Sequence, residues 1–198
     1  MERCRHSCLP CASDLKQVVL IAAWEAGTVA VIHAIEDGYR PVIVPDDIAH
    51  ALHGLTDLDG NPMLDLGAFR EQWNESFSYT FIEPADLTEA ERTVFDLRVP
   101  LCRLAGIRLS ACGVKAIRIS ENMRLGDKDG QIIGVYEPND GLVVIRRDQL
   151  ATIEDFCGTL LHELEHAASG FGDGTLLYEQ ALTQRLGLIA SKSLQAKR

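Results

Sequence analysis

The sequence predicts a mixed α/β (α+β) fold: a small mixed sheet followed by two helices, with a small β-α-β module before them. Three observations support this prediction. Short β-branched runs alternate with helix-periodic segments, residues 160–168 carry H-E-x-x-H within a helical pattern, and a second helical segment follows a glycine-rich break. Helices with one apolar face need a sheet to pack on, so these elements are expected to share one core.

The N-terminal third is predicted to form a β-α-β module over residues 14–66. Residues 18–21 and 41–45 are apolar runs suited to strands, and residues 24–37 are apolar at helical spacing with Gly38 as the stop. No G-x-G-x-x-G sequence is present, so nucleotide binding has no support and a structural or docking role is favoured. The turn cluster at residues 59–62 indicates a domain boundary there or soon after.

The remaining residues, 67–198, are predicted to form the second domain. Residues 132–136 and 142–145 are expected to pair as a hairpin through Asn139-Asp140-Gly141, with 132–136 at the exposed edge of the sheet. The other predicted elements are a helix at 69–74, a strand at 77–82, a helix at 88–104 and a strand at 114–119.

The H-E-x-x-H segment lies on a predicted amphipathic helix. Thr152 is a suitable N-cap, and Ser169-Gly170 ends the helical run. Apolar residues recur at spacings of three and four and form one face of this helix: Ile153, Phe156, Cys157, Leu160, Leu161, Leu164 and Ala168. The motif is therefore expected to be held rigidly against the core.

The motif residues predict a zinc site. His162 and His166 are four residues apart, so both imidazoles face the same side of the helix and can bind one ion. Glu163 lies beside them and can act on a water molecule at that ion as a general base. Two histidine ligands and a neighbouring glutamate are typical of zinc peptidases.

A third protein ligand is expected from the residues after the motif helix. Residues 175–186 predict a second helix stopped by Gly187, and a rise of about 1.5 Å per residue in a tight hairpin places Glu179 between the heights of the two histidines. Asp173 in the intervening loop is the alternative ligand, although it also suits the N-cap of the second helix. Thr183 and Tyr178 are candidates for residues that orient the site.

Composition and charge restrict the functional classes. The net charge of −10 and the absence of a basic stripe argue against nucleic acid, and the apolar stretch at residues 18–24 is too short to cross a membrane. Six scattered cysteines without a paired framework predict a reducing, cytoplasmic location. Residues 1–13 form a cysteine-rich segment in which four residues have side chains suited to metal binding: Cys4, His6, Cys8 and Cys11.

The motif helix, the strands before it and the following helix resemble the zincin superfamily of metallopeptidases, in particular short members with a glutamate as third ligand. The resemblance covers residues 77–189 in architecture and matches His162, Glu163, His166 and Glu179 residue by residue. Residues 73–77, 87–92 and 162–187 are also similar to the C-terminal part of bacterial proteins that begin with a GHKL-type ATPase domain. That similarity implies an ATPase domain as a partner.

Together these features predict a cytoplasmic zinc metalloendopeptidase that cleaves a polypeptide substrate. Glu163 is its expected base, and the metal ligands are His162, His166 and Glu179, or Asp173 in place of Glu179. The alternative function is a non-catalytic zincin-like domain that binds a protein or regulates an associated ATPase.

Overall fold

The structure is a computed structural model that describes residues 18–52, 54–56, 60, 63–126 and 132–196. The chain divides into two compact units, the first comprising residues 1–77 and 124–131 and the second residues 78–123 and 132–198. The metal-type residues at positions 4, 6, 8 and 11 lie outside the described residues, as do most of the turn cluster at 59–62. The predicted mixed α+β class is confirmed.

The first unit contains the predicted β-α-β arrangement. Strands β1 (Val18–Ala22) and β2 (Arg40–Val44) are parallel and are connected by helix α1 (Val29–Glu36), and α2 (Asp46–Leu52) follows. The Thr28 side chain caps α1 by accepting a hydrogen bond from the Val31 N–H. The core of this unit contains Val19, Ile21, Ala30, Val31, Ala34, Leu66, Phe69 and Leu125.

The boundary between the units lies later than the sequence predicted at residue 66. Helix α3 (Leu66–Ser76) belongs to the first unit because Leu66 and Phe69 pack in its core. Residues 124–131 also return to this unit, where the Asn74 side chain bonds both the N–H and the C=O of Leu125 at 2.9 Å. Long-range contacts of this kind leave no mark in the local sequence pattern.

The second unit is built on a mixed sheet of four strands in the order β3-β4-β6-β5. Its strands are β3 (Phe81–Ile82), β4 (Ala116–Ser120), β5 (Gly134–Glu137) and β6 (Leu142–Arg146). Strands β4 and β6 are parallel, whereas β3 and β5 pair antiparallel with their neighbours. The expected hairpin and the edge position of β5 are both confirmed, and Gly141 supplies the left-handed turn residue with φ 67°.

The helix predicted over residues 88–104 is two helices, α4 (Glu89–Phe95) and α5 (Arg98–Ala105). Pro100 explains the break, because a proline cannot donate to the carbonyl four residues earlier and its ring collides with that carbonyl. Thr88 and Glu91 form the predicted capping box at the start of α4. The chain leaves α5 through Gly106, whose φ of 70° is left-handed.

Helix α6 (Ile153–Ser169) carries the motif and has the predicted ends. The Thr152 hydroxyl accepts a hydrogen bond from the Asp155 N–H at 3.0 Å, and Gly170 closes the helix with φ 72°. The core of the second unit receives the apolar face of α6 through Phe156, Leu160, Leu161 and Leu164. The motif helix is therefore fixed at both ends and along one side.

Helix α7 (Leu176–Gln195) is longer than predicted because it continues through Gly187. Its C-terminal half is held against the end of α5, where Arg185 donates to the Ala105 carbonyl at 3.0 Å and Lys192 to the Leu104 carbonyl at 2.9 Å. These tertiary contacts outweigh the low helix propensity of one glycine. Among the described residues, no helix has both the length and the hydropathy needed to cross a membrane.

Candidate metal centre

The two motif histidines meet on one face of α6, as their spacing predicted. Their Nε2 atoms are 3.1 Å apart and their ring centroids 4.7 Å apart. Both side chains are partly buried, with His166 the less exposed of the two. The helix therefore presents two imidazole nitrogens at one point beside the sheet.

Asp173 supplies the third donor atom at this point. Its Oδ1 lies 3.0 Å from Nε2 of His162 and 3.1 Å from Nε2 of His166. The loop between α6 and α7 turns back toward the histidines after Gly170, which brings Asp173 over them. Among the described residues, these three form a group whose side chains could hold a metal ion.

Glu179, which the sequence favoured as the third metal ligand, is not in this group. It is exposed on α7, and the residue before it, Tyr178, faces the histidines instead. Height along the helices does not by itself decide which residue of α7 reaches the histidines, because neighbouring residues also differ by about 100° around the helix axis. The structure therefore favours Asp173, the alternative ligand, over Glu179.

Asp173 was also expected as the N-cap of the second helix, and that position is taken by Thr175. The Thr175 hydroxyl accepts a hydrogen bond from the Tyr178 N–H at 3.2 Å. Because Asp173 does not cap α7, its carboxylate is available for contacts with the histidines. Thr183 lies exposed one turn beyond Glu179, so its expected role of orienting a Glu179 ligand loses its basis.

Tyr178 packs against both histidine rings. Its ring stacks on His166 with centroids 4.3 Å apart and meets the His162 ring edge-on at 5.1 Å. The side chain is buried, and its hydroxyl donates to the His162 carbonyl at 3.0 Å. Burial and the nearby acidic groups raise the pKa of Tyr178, so the hydroxyl remains a donor at neutral pH. The sequence expected Tyr178 near the site, and the structure places it there.

The hydrogen bond at Nδ1 of His166 determines which of its nitrogens can bind an ion. Nδ1 lies 2.7 Å from the Phe171 carbonyl oxygen, which can only accept, so we assign the proton to Nδ1. In the neutral ring Nε2 then carries a lone pair aimed at Asp173 and His162. Burial lowers the pKa of His162, opposed mainly by the Asp173 charge, and this lowered pKa favours the neutral imidazole of His162.

This donor set fits a divalent ion such as zinc. Ligand bonds of about 2.0–2.1 Å in a tetrahedron place donor atoms about 3.3 Å apart. The three observed separations, 3.0 to 3.1 Å, are close to that value. Lone pairs of an imidazole and a carboxylate facing each other repel unless a proton or a metal ion lies between them. Two imidazoles and one carboxylate are ligands that zinc accepts.

Glu163 is buried beside the donor group. Only 6% of the residue is exposed, and this burial raises the pKa of its carboxyl to about 7. The charge of His166 and a hydrogen bond from the Tyr136 backbone N–H oppose the rise, whereas Asp173 adds to it. A carboxyl group with a pKa near neutrality can both accept and release a proton at physiological pH.

Gly134 on the edge strand allows Glu163 to lie where it does. A Cβ atom at this position would be 2.5 Å from Cγ2 of Thr159 and 3.0 Å from Cγ and Oε1 of Glu163. Any other residue would therefore displace the Thr159 and Glu163 side chains or the edge strand itself. The glycine is required here for close approach between strand and helix, and the sequence analysis did not single it out.

An open cleft of about 490 Å³ runs between the edge strand and the α6–α7 loop. Glu163 and His166 reach it from α6, and Asp173 reaches it from the loop. Its other lining side chains carry no charge, and the full set of lining residues is Ile132, Gly134, Val135, Tyr136, Pro138, Glu163, His166, Gly170, Phe171, Gly172 and Asp173.

Glu165, which lies between the two motif histidines, is a second buried carboxylate of the motif helix. It is 3% exposed and forms an ion pair with Arg185 of α7 at 2.7 Å. A signal was present in the sequence, because Glu165 follows Leu161 by one helical turn and so falls beside the apolar face. An acid in that position indicates a buried ion pair, although the partner cannot be read from the pattern.

Comparisons of this chain with protein-family models, with curated proteins and with solved structures found no match.

Proposed function

We propose that this chain is a zinc-dependent peptidase in which His162, His166 and Asp173 hold the ion and Glu163 is the general base. The observation that carries the proposal is the convergence of three ligand atoms within 3.1 Å of one another beside a buried glutamate at a cleft. Asp173 is an exposed member of the group, and an open site suits a catalytic ion better than a structural one, whose coordination is closed.

When bound, a zinc ion would lower the pKa of a water molecule and polarise a substrate carbonyl. The protein's own residues prepare the site for it. Tyr178 stacks under His166, and the Phe171 carbonyl holds the Nδ1 proton of the same ring, so Nε2 is directed to the ion position. The imidazole geometry is therefore set before an ion arrives.

Glu163 would accept the proton of the attacking water and later pass it to the departing amine. The carboxyl group suits both transfers because its pKa is about 7, whereas the ordinary pKa of a glutamate is 4.5. A general base and acid works best when its pKa lies near the working pH. The close approach of the Gly134 backbone restricts the carboxylate on one side, and Glu163 also lines the cleft.

The substrate we infer is an extended polypeptide lying along β5. In the pairing of β5 with β6, Ile133 C=O accepts from Arg146 N–H, so the alternate residues Gly134 and Tyr136 direct their main-chain groups away from β6. The Tyr136 N–H bonds Glu163, so the Gly134 main chain and the Tyr136 carbonyl are the groups that a peptide would pair with. A peptide added at this edge would pass the cleft that holds Glu163.

The side chain that enters the cleft is expected to be apolar. Apart from Glu163, His166 and Asp173, the described lining is uncharged, with Ile132, Phe171 and other apolar or small residues. A charged substrate side chain would have to give up its hydration there, and the three titratable residues of the lining are the ones assigned to the ion and its water molecule.

Metal analysis combined with cleavage of an unfolded protein tests this function. The purified protein is expected to carry one zinc ion per chain and to cleave the unfolded protein, and zinc should be lost in Asp173→Ala but retained in Glu179→Ala. Glu163→Gln should keep the metal and lose cleavage by about 100-fold or more. Glu154→Gln, an exposed glutamate on the same helix, is the matched control and should retain both.

Equal cleavage by the parent and Glu163→Gln would remove the proposed base. Zinc that binds and raises the melting temperature of a protein without peptidase activity would instead support the rival function, a metal-stabilised regulatory or protein-binding domain. A protein that binds no zinc would contradict the peptidase and would leave a metal-free regulatory or protein-binding domain as the function.

A further inference from the structure

Ser169, the last residue of α6, makes two hydrogen bonds through its hydroxyl. The hydroxyl donates to the Glu165 carbonyl one turn back at 2.7 Å and accepts from the Phe171 N–H at 3.2 Å. It therefore ties the end of the motif helix to the first residues of the α6–α7 loop.

The same loop residue is held from its other side by a histidine. Phe171 receives the Nδ1 proton of His166 on its carbonyl oxygen at 2.7 Å, while its N–H is bound by Ser169. Both main-chain groups of Phe171 are thus occupied by residues of α6. Phe171 is therefore a point at which the loop is held to the motif helix, two positions before Asp173.

The glycines on either side of Phe171 make this attachment necessary. Gly170 is left-handed with φ 72°, and a Cβ atom at Gly170 or Gly172 would meet nothing within 4 Å. The Gly170 N–H donates to the His166 carbonyl and the Gly172 carbonyl accepts from the Thr175 hydroxyl, but a loop with two glycines still has many accessible backbone conformations, and few of them return Asp173 to the histidines.

This inference rests on the metal site proposed above. We propose that Ser169 is a positioning residue for two of its ligands, His166 and Asp173. By holding the Phe171 peptide, it keeps His166 in the tautomer whose Nε2 is free to bind, and it directs the following residues so that Asp173 reaches the same point. Ser169 touches neither ion nor substrate and acts only through Phe171.

Nitrogen-15 NMR of the histidine side chains in metal-free protein tests the first effect. The parent should show His166 protonated at Nδ1, Ser169→Ala should show a mixture of the two tautomers, and Ser169→Thr, which restores the hydroxyl, should resemble the parent. Ser191→Ala on α7 is the matched control and should leave the His166 signals unchanged. Parent-like tautomers in Ser169→Ala would overturn the proposal.

Direct titration with zinc tests the second effect. Ser169→Ala should weaken zinc binding by about 10- to 100-fold, and Ser169→Thr should recover most of this loss. In an Asp173→Asn background the serine change should cost much less, because one of the ligands it directs is already gone. Independent, additive losses in the double variant would overturn the proposed link to Asp173.

These results are separable from failure of the proposed function. The tautomer measurement uses metal-free protein and the titration needs no peptide cleavage. If the parent protein binds zinc but does not cleave peptides, the proposed peptidase function is contradicted. The Ser169 measurements would still decide whether Ser169 positions the ligands.

Discussion

Two glutamates on the motif helix are buried to nearly the same degree and have opposite environments. Glu163 is 6% exposed and Glu165 is 3% exposed, but two residues along a helix turn the side chain by about 200°. Glu163 therefore faces the cleft and the edge strand, whereas Glu165 faces α7. The comparison separates the carboxylate proposed as the general base from one that is held in an ion pair.

The difference lies in their partners. Arg185 donates to the Glu165 carboxylate at 2.7 Å and to the Ala105 carbonyl at 3.0 Å, which connects α5, α6 and α7. Glu163 instead receives a neutral backbone N–H from Tyr136, and burial raises the pKa of its carboxyl to about 7. Burial beside a fixed cation gives a stable charge, and burial without one gives a group ready to exchange a proton.

The largest expected effect comes from breaking the structural pair. Arg185→Leu leaves Glu165 buried without its cation and should lower the free energy of unfolding by about 3–5 kcal/mol, measured by urea denaturation. Replacing both residues by leucine should recover much of this loss because no unpaired charge remains. A loss below about 1 kcal/mol for Arg185→Leu would be typical of a surface pair and would contradict the assigned role.

The second prediction concerns the pH dependence that Glu163 adds to stability. Its carboxyl has a folded-state pKa of about 7 against an ordinary value of 4.5, so the folded protein keeps a proton that the unfolded chain releases between these values. Stability is therefore lost as the pH rises from 4.5 through 7, by about 3 kcal/mol at roughly 1.4 kcal/mol per pH unit.

Glu163→Gln should remove this loss in metal-free protein. The difference in unfolding free energy between Glu163→Gln and the parent should grow in favour of the variant across that pH range and then level off. Glu154→Gln provides the baseline, since it lies exposed on the same helix. A difference that does not change with pH would show that Glu163 titrates like an exposed carboxylate.

The third prediction tests the contact between Glu163 and the edge strand. Gly134→Ala would place a methyl group 2.5 Å from the Thr159 side chain and 3.0 Å from the Glu163 carboxylate. Overpacking of this kind should cost about 1–3 kcal/mol in urea denaturation and reduce cleavage by displacing the base. An unchanged unfolding midpoint and activity would mean that the strand does not restrict Glu163.

The smallest effect is expected at Gly158, a glycine on the solvent side of the same helix. A Cβ atom there meets nothing within 4 Å, so Gly158→Ala should stabilise the protein by about 0.5–1 kcal/mol through helix propensity. The melting temperature of metal-free protein measures this change. Destabilisation by Gly158→Ala would indicate that the solvent side of α6 makes a packing contact at this position.

Local features of the motif helix could be predicted from the sequence because they depend on residues close in the chain. Thr152 caps the helix, Gly170 ends it, and His162 and His166 meet at a spacing of four. The antiparallel hairpin at Gly141 and the edge position of β5 follow from short-range pattern as well. Each of these is decided within a few residues by backbone preference or periodicity.

Features that depend on distant residues could not be predicted in this way. The length of α7 is decided by Arg185 and Lys192, which donate hydrogen bonds to carbonyl groups at the end of α5. These partners lie 80 and 88 residues earlier in the chain. The boundary of the first unit depends on Asn74 holding Leu125. Local propensity is weak beside such contacts, so the pattern alone placed both limits wrongly.

The sequence by itself determined that two imidazoles and a glutamate occupy one face of a capped amphipathic helix, because the helical repeat leaves them no other arrangement. Only the tertiary structure decided which carboxylate joins them. The turn after Gly170 brings Asp173 within 3.1 Å of both histidines, whereas Tyr178 packs beneath them and Glu179, the next residue of α7, is exposed and about 100° further around the helix axis.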